Sequence, residues 1–459
     1  MLYKDNKVSG VKIAYIGGGS RGWAWRLMTD LAIADDISGE VALYDIDHAA
    51  AEMNEVIGNK IKDMEECKSK WTYKAVSDIG DALTGADFVV ISILPATFDE
   101  MHSDVHTPEK YGLYQTVGDT TGPGGIIRAL RTIPMYVEIA EAIKKYSPDA
   151  WVINYTNPMA VCVNVLYKVF PKIKAFGCCH EVFGTQKLLA KALAEFKGIE
   201  GVRREEIITN VVGVNHFTWL TSAQYRNIDL MPIYRKFCEK YINIGYSDGG
   251  DDNWVNNAFK CEEMVKMDLF LRHGLIAAAG DRHLAEFCNK KWYLDSPERV
   301  NEMHFGLTSV DFRKNELKKR LAKADRLVSG EEGFEFTPSG EDGVNQMRSL
   351  LGLCEMTTNI NIPNIGQIPN LPKGVVVESN AVFRANSATP VFAREIPIEI
   401  YSMIARLASG QELVVRAGIE KNYELAYQAF IQDPLCDLSL KDSRKLFDEM
   451  INNTKKYLW

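Results

Sequence analysis

The feature that most constrains the fold of this chain is a glycine-rich turn between a short apolar segment and a helical pattern. Val11–Ile16 reads VKIAYI, which is typical of a buried strand. Gly17, Gly19 and Gly22 follow with the spacing G-x-G-x-x-G, and apolar residues at helical intervals come next. Such a turn lets a pyrophosphate approach the backbone N–H groups at a helix start, because glycine has no side chain. The segment therefore predicts a dinucleotide site.

An acidic residue after the next strand narrows the choice of dinucleotide. Asp45 directly follows the apolar run Val41–Tyr44. A carboxylate there accepts hydrogen bonds from the ribose hydroxyls, which favours NAD over NADP. A purely structural glycine turn is the alternative, but the strand, the helix and the acid all agree with a cofactor role. We expect NAD to be bound by Gly17, Gly19, Ser20, Gly22 and Asp45.

Apolar runs and helical stretches alternate along the first part of the chain. The runs are continuous, as in strands buried on both faces, and their alternation with helices is typical of a parallel, doubly wound sheet. We predict an α/β fold with a Rossmann domain over residues 9–200, of the type found in lactate and malate dehydrogenases. Its further predicted elements are the strands Ala86–Ile93, Ala150–Tyr155 and Ala175–Cys179, and the helices Ala49–Lys62 and Ile133–Lys145.

The pattern changes after about residue 200, where longer helical stretches are mixed with β segments. We predict a second α/β domain over residues 201–459. Its predicted strands are Ile207–Val214 and Lys373–Phe383, and its helices are Tyr234–Tyr241, Asn253–Leu271, Ile398–Leu407 and Leu413–Ile431.

Composition and charge exclude several classes of function. The formal net charge is -8, and no basic stripe suggests a nucleic-acid partner. The N-terminal residues MLYKDNKVSG lack the apolar region of a signal peptide, and no apolar run approaches the ~18 residues of a membrane span. Nine cysteines without a secretory signal suit reduced thiols. We expect a cytoplasmic protein with neither a membrane nor a nucleic-acid partner.

Polar motifs follow several predicted strands, whose carboxyl ends face the ligand crevice of such a sheet. Asn157 offers a donor and an acceptor to a hydroxyl-rich ligand, although Asn-Pro pairs also start turns. Cys179 and His216 are suitable metal ligands, although a buried cysteine and a hydrogen-bonded histidine would explain them too. Asp281, in the run Gly280–His283, offers a base, although a helix cap is equally consistent.

Taken in order, these motifs resemble those of one family. The segments IAYIGGGS, GDTTGPGG, NYTNPM, CCHEV, GVNHFTW, AGDRH and ESNAVF span nearly the whole sequence. Together they resemble the NAD- and metal-dependent glycosidases of glycoside hydrolase family 4. The tetrad CHEV is similar to the α-galacturonidase and α-glucuronidase branch, and the stretches GDTTGPGGIIRALRTIP and GCCHEVFGTQK are most similar to α-galacturonidases.

The resemblance implies a role for each motif. It also implies that the domain over residues 201–459 carries substrate and metal contacts and the oligomer interface. Cys179 and His216 would bind a divalent metal, usually Mn²⁺, and Asn157 would hold substrate hydroxyls. His180 occupies the position of the proton donor in the phospho-glycosidase branch, and Asp281 occupies the position of the base in some members. The basic residues near this site that could meet a substrate carboxylate are Arg128, Arg131, Arg282 and His283.

The implied reaction is hydrolysis without net redox change. NAD⁺ would take a hydride from C3 of the sugar, a base would remove the acidified C2 proton, and the glycosidic oxygen would leave by elimination. Water would then add, and the hydride would return to C3. The expected substrates are α-galacturonides or oligogalacturonides, and the expected protein is a homo-oligomer, either a dimer or a tetramer.

Three other functions fit parts of the same pattern. An NAD-dependent dehydrogenase of the lactate/malate type would share the fold, release NADH and need no metal. A non-catalytic NAD-sensing regulator would bind the cofactor without turnover. Within family 4, an α-glucuronidase or an α-galactosidase is the further alternative, and fold alone separates none of these.

Overall fold

A computed structural model describes residues 1–247 and 260–459 of the chain. The strands are β1 (Leu2–Lys4), β2 (Lys7–Ile16), β3 (Ile37–Tyr44), β4 (Trp71–Val76), β5 (Phe88–Ile91), β6 (Trp151–Asn154), β7 (Lys174–Gly177), β8 (Ile207–Val214), β9 (Phe217–Tyr225), β10 (Ile228–Asp229), β11 (Ile276–Ala277), β12 (Met356–Pro363), β13 (Val376–Arg384) and β14 (Ser387–Pro390). The α-helices span Trp23–Ile33, His48–Ile61, Ile79–Leu83, Phe98–His106, Gly122–Tyr146, Met159–Val169, Glu181–Lys197, Met231–Tyr241, Met264–His273, Asp281–Phe287, Lys290–Tyr293, Pro297–Glu302, Val310–Ser329, Gly343–Leu350, Ile398–Ile419, Tyr423–Gln432 and Leu440–Thr454.

The larger sheet confirms the predicted Rossmann arrangement. Its parallel part has the spatial order β4-β3-β2-β5-β6-β7, which is the strand order of a dinucleotide-binding domain. Val89 and Ile91 of β5 pack on one face, while Phe88 and Val90 pack on the other. Both faces are therefore covered, which explains why the apolar runs are continuous. The ligand crevice lies outside the carboxyl ends of β2 and β5, where the strand order reverses.

Strands from the C-terminal part extend this sheet. The strands β12, β13 and β14 add to β7 in antiparallel fashion, starting with the pair Asn361 and Gly177. A second sheet contains β8 to β11, and its side chains form a separate hydrophobic cluster with the helices around it. The division into residues 9–200 and 201–459 stays a prediction, and the two parts share one sheet.

Helix boundaries differ from the sequence pattern near the C-terminus. The predicted break between Leu407 and Leu413 is wrong, because one helix runs through Ile398–Ile419. The chain instead breaks at Asn422, whose side chain accepts hydrogen bonds from two backbone N–H groups at the start of the next helix. The helix predicted over Asn253–Leu271 lies partly outside the described residues. Across the described ranges, no helix combines the length and apolarity needed to cross a membrane.

Candidate active site

The glycine turn forms a cradle that tolerates no side chain. Gly17 has a φ of +95°, and a Cβ atom there would lie 2.1 Å from the carbonyl oxygen of Ser92. A Cβ on Gly19 would lie 2.7 Å from the Cβ of Ala50. The backbone N–H of Gly19 donates to Asp45 Oδ2 over 2.9 Å, so the acid lies directly beside the turn. These contacts fit the diphosphate and ribose of a dinucleotide.

A buried asparagine, missed in the sequence, holds the turn from behind. Asn54 belongs to the His48–Ile61 helix, and its amide donates to the carbonyl oxygens of Gly18 and Ser20 over 2.7 and 3.0 Å. The indole of Trp25 donates to Asn54 Oδ1 over 2.8 Å. A lone asparagine at a buried helical position is the one signal that could have found it.

A group of metal-ligand side chains lies at the predicted crevice. Within the described ranges, Asp119, His216 and His283 bring their ligand atoms within 4.8 Å of one another. His216 lies in the turn between β8 and β9 with a φ of +65°, and its ring centroid is 3.8 Å from that of His283. Its Nδ1 is 2.9 Å from Thr120 Oγ1. This hydrogen bond orients the ring and leaves Nε2 available for a ligand.

The electrostatics of the group suit metal binding. Burial lowers the pKa of His216 to about 4, so the imidazole is neutral at neutral pH. Burial alone would raise the pKa of Asp119, but His216 and His283 outweigh it and hold this pKa well below its usual range. Neutral imidazole and ionised carboxylate are the forms that bind metals. The carboxylate also makes the group better suited to Mn²⁺ than a thiolate and an imidazole alone.

The two adjacent cysteines have different surroundings. Cys178 Sγ donates to Gln346 Oε1 over 2.8 Å and packs in the hydrophobic core. Cys179 is also buried, and burial together with the charge of Glu378 raises the pKa of its thiol well above the usual value. Cys179 is not in the 4.8 Å group, so its role as a metal ligand stays a prediction.

The predicted substrate residue Asn157 lies against the same group. Its Nδ2 donates to Asp119 Oδ2 over 3.3 Å, and within the described ranges its buried Oδ1 has no hydrogen-bond partner. Arg128 Nε donates to the carbonyl oxygen of Asn157 over 3.1 Å. Arg131 is fully buried and pairs through both Nη atoms with Asp104, which removes it from the candidates for binding a substrate carboxylate.

His180, the predicted proton donor, is the exposed member of the CHEV tetrad. Its side chain is 54% exposed, and its Nδ1 hydrogen-bonds Glu341 Oε1. This hydrogen bond and the charge of Glu341 raise the pKa of the imidazole. Nothing in the sequence indicated Glu341, because it comes from a distant segment.

The structure places Asp281 in a second buried group, with Cys261 and Glu263. Its Oδ1 accepts a hydrogen bond from the backbone N–H of Lys266 over 3.0 Å, and within the described part of the chain its Oδ2 has no partner. Burial, reinforced by the charge of Glu263, raises the pKa of Asp281 to about 7. A carboxylate with this pKa suits a general base. Its role as the C2 base stays a prediction.

Models of one family cover nearly the whole chain. Residues 12–195 match the family 4 glycosyl hydrolase model, and residues 211–436 match the model of the family 4 C-terminal domain. The chain belongs to glycoside hydrolase family 4. The α-galacturonidase of Thermoanaerobacterium saccharolyticum is 58% identical over 458 residues, which cover 100% of this chain and 98% of the relative. The α-galacturonidase of Bacillus subtilis is 51% identical over 98% of this chain and 99% of the relative.

Solved structures agree with this assignment. The crystal structure of lplD from Bacillus subtilis has a TM-score of 0.92 and 50% sequence identity, and covers 96% of this chain and 100% of that one. A 6-phospho-α-glucosidase from gut microorganisms, solved with NAD and Mn²⁺, has a TM-score of 0.82 at 19% identity. The match covers 98% of this chain and 99% of that one. At that identity the likeness shows a common fold.

Two glutamates of this family 4 chain lie beside the metal group. They were not predicted as functional residues, although Glu181 is part of the motif CCHEV and Glu378 is part of the motif ESNAVF. Glu181 accepts a hydrogen bond from Gly280 N over 2.8 Å, and its Oε1 is 3.8 Å from His283 Nε2. Burial raises its pKa, but His283 and the other nearby histidines outweigh this and lower it to about 2. Glu378, on β13, accepts from Thr218 and Asn359 over 3.0 and 2.6 Å.

Proposed function

We propose that this family 4 protein is an α-galacturonidase that works with NAD and a divalent metal, and that Mn²⁺ is the preferred metal. The observation on which the proposal rests is that three features lie at the crevice of a single sheet. They are the glycine cradle, the metal group of Asp119, His216 and His283, and the predicted substrate residue Asn157. A dehydrogenase of the lactate/malate type has no use for the metal group. The relatives described above, which match over the full chain, are α-galacturonidases.

The residue that would hold the substrate lies against the metal group. Asn157 holds sugar hydroxyls through its unpartnered Oδ1, while its Nδ2 is fixed by Asp119. When bound, NAD supplies a hydride acceptor for C3, and the metal polarises the resulting ketone. The fit of both groups rests on the cradle that a Cβ would fill and on the carboxylate and imidazole donors.

Two side chains move protons. Asp281 takes the proton from C2, for which a pKa of about 7 is well matched. His180, held at Nδ1 by Glu341, gives a proton to the glycosidic oxygen as the C1–O bond breaks. Addition of water to the unsaturated sugar returns a proton to C2, and bound NAD would supply the hydride that restores C3. The sum is hydrolysis.

Arg128 is the side chain placed to meet the substrate carboxylate. It is buried beside Asn157, and among the described residues its Nη atoms make no hydrogen bond. Burial lowers the pKa of Arg128, with Asp119 opposing, so a second anion would stabilise the guanidinium. A hydrogen bond to a charged group contributes ~1.5–3 kcal/mol, which corresponds to a selectivity of roughly 10- to 150-fold.

The experiment that tests the function compares aryl α-galacturonide with its methyl ester, with aryl α-galactoside and with aryl α-glucuronide. Cleavage of the galacturonide should require NAD⁺, Mn²⁺ and a reductant together. Arg128→Gln should lower kcat/KM for the charged sugar toward that for its methyl ester. Preference of the wild-type protein for a neutral sugar, or full activity without NAD⁺, would contradict the proposal.

The cellular setting is a further part of the proposal. We propose a cytoplasmic homo-oligomer with no nucleic-acid partner, in keeping with the net charge of -8 and nine free cysteines. Light scattering coupled to size-exclusion chromatography measures the oligomeric state. A monomer at micromolar concentration would refute that part.

A further inference from the structure

An arginine from the C-terminal part of the chain lies against the glycine turn. A Cβ atom on Gly22 would lie 2.8 Å from Nη1 of Arg320, which belongs to the Val310–Ser329 helix. Arg320 is exposed, and within the described ranges its guanidinium makes neither a hydrogen bond nor an ion pair. A cationic group with five donors therefore stands free at the edge of the cradle.

Other positive charge converges on the same place. The Trp23–Ile33 helix begins directly after Gly22, and its first turn contains no acidic residue. Its backbone N–H groups carry the positive end of the helix dipole. Although part of the side chain is exposed, the partial burial of Arg320 and the charge of Arg26 lower its pKa, with Glu316 opposing. The guanidinium and the helix end are both positive and lie side by side, so an anion that contacts both would be stabilised there.

The helix that carries Arg320 is fixed at both ends to the Rossmann part. Near its start, Lys314 Nζ pairs with Asp99 Oδ1 over 2.7 Å. Near its end, Lys60 Nζ donates to the carbonyl oxygens of Leu327 and Val328 over 3.1 and 2.7 Å. Arg320 lies between these two anchors, so its position over the turn follows from the packing of the whole helix.

We infer that Arg320 binds the diphosphate of NAD at the edge of the glycine turn, beside Gly22, an inference that rests on the proposed function. The consequence is retention of the cofactor. The proposed cycle must return its hydride to the same sugar, so a cofactor that dissociates in its reduced form leaves the reaction unfinished. A cationic contact from outside the turn slows that dissociation.

Isothermal titration calorimetry on the full chain tests this with three probes: NAD⁺, ADP and adenosine. Arg320→Gln should raise the Kd of NAD⁺ and of ADP by about tenfold or more, because a charge-assisted hydrogen bond is lost. The Kd of adenosine, which has no phosphate, should stay the same. Arg320→Lys should retain part of the affinity. Lys318→Gln is the matched control, since it removes an exposed charge about 200° around the same helix.

The outcomes separate this inference from the proposed function. If the wild-type protein binds no NAD⁺, the proposed function fails together with the inference. If the wild-type protein binds NAD⁺ and Arg320→Gln binds it equally well, the inference alone is overturned. An equal loss of adenosine and ADP affinity in Arg320→Gln would also overturn it, because the effect would not concern phosphate.

Discussion

The cofactor cradle and the metal group are built in opposite ways. The cradle is local: Gly17, Gly19 and Gly22 lie within six residues, and Asp45 lies at the end of the neighbouring strand. The metal group is assembled from Asp119, His216 and His283, which come from three separate segments. The cradle works through the absence of side chains, whereas the metal group works through side chains held by hydrogen bonds such as that between Thr120 and His216.

This difference decides how each region responds to change. A substitution in the cradle acts through steric exclusion, and we expect it to affect NAD before it affects metal. A substitution in the metal group acts through ligand chemistry, and we expect it to affect metal before NAD. Variants in which the two affinities are measured separately would test this separation.

The largest effect is expected at the cysteine pair. Cys179→Ser should lose bound Mn²⁺ and activity while it keeps NAD affinity, because serine would replace the sulfur that we predict to be a metal ligand. Cys178→Ser is the control, since its sulfur faces Gln346 and the core. Metal content by plasma mass spectrometry and NAD⁺ titration measure both properties. Equal Mn²⁺ content in the two purified variants would reject the ligand assignment.

The next effect concerns the cradle. Gly17→Ala should abolish NAD⁺ binding, because its Cβ would lie 2.1 Å from the Ser92 carbonyl oxygen, and should leave Mn²⁺ binding intact. Gly85→Ala is the control: Gly85 also has a positive φ, but a Cβ there meets nothing within 4 Å. The control should lose ~1–2 kcal/mol in free energy of unfolding and keep NAD⁺ binding. Unchanged NAD⁺ affinity in Gly17→Ala would refute the cradle.

Asp281→Asn should slow hydrolysis by roughly 10²- to 10⁴-fold, as expected for loss of a general base. Asparagine retains an oxygen that can accept a hydrogen bond from the backbone N–H of Lys266. The contact that Asp281 makes with the start of the Met264–His273 helix is therefore kept, and the fold is preserved. Single-turnover kinetics on aryl α-galacturonide measures the rate. A rate close to that of the wild-type protein would show that Asp281 only caps the Met264–His273 helix. Tyr155 or His283 would then be tested as the C2 base.

The smallest effect is expected from a substitution of Thr120, which orients the metal-group residue His216. Thr120→Val removes the hydroxyl that lies 2.9 Å from His216 Nδ1 and should weaken Mn²⁺ binding by roughly 10- to 100-fold. The affinity for NAD⁺ should not change. Competition with a metal-chelating dye measures the Mn²⁺ Kd. If both affinities fell together, the cradle and the metal group would not be separable in the way described.

Much of the fold could be predicted because its signals are local. The continuous apolar run of β5 and the glycine spacing after β2 need no knowledge of distant partners. The strand β12 gave no such signal, because its buried residues include the polar Asn359 and Asn361. The Val310–Ser329 helix was missed because it is mostly polar and buries only Val310, Ala324 and Leu327.

The candidate site was predicted only in part, for the same reason. Asn157 and His216 were indicated because they follow strands and lie within recognisable motifs. Glu341 and Arg320 act on His180 and Gly22 across long stretches of sequence, so only tertiary structure reveals them. Asp119 was visible within a glycine-rich loop, but its contact with the two histidines depends on how three segments pack.

The most direct test of the account is the fate of the hydrogen at C2 during turnover. The reaction is run in D₂O with NAD⁺, Mn²⁺ and a reductant, and the released sugar is examined by NMR while absorbance at the NADH band is followed. The account predicts deuterium at C2 in the released galacturonic acid, with no NADH accumulating beyond one enzyme equivalent. Release of galacturonic acid that retains protium at C2 would contradict it.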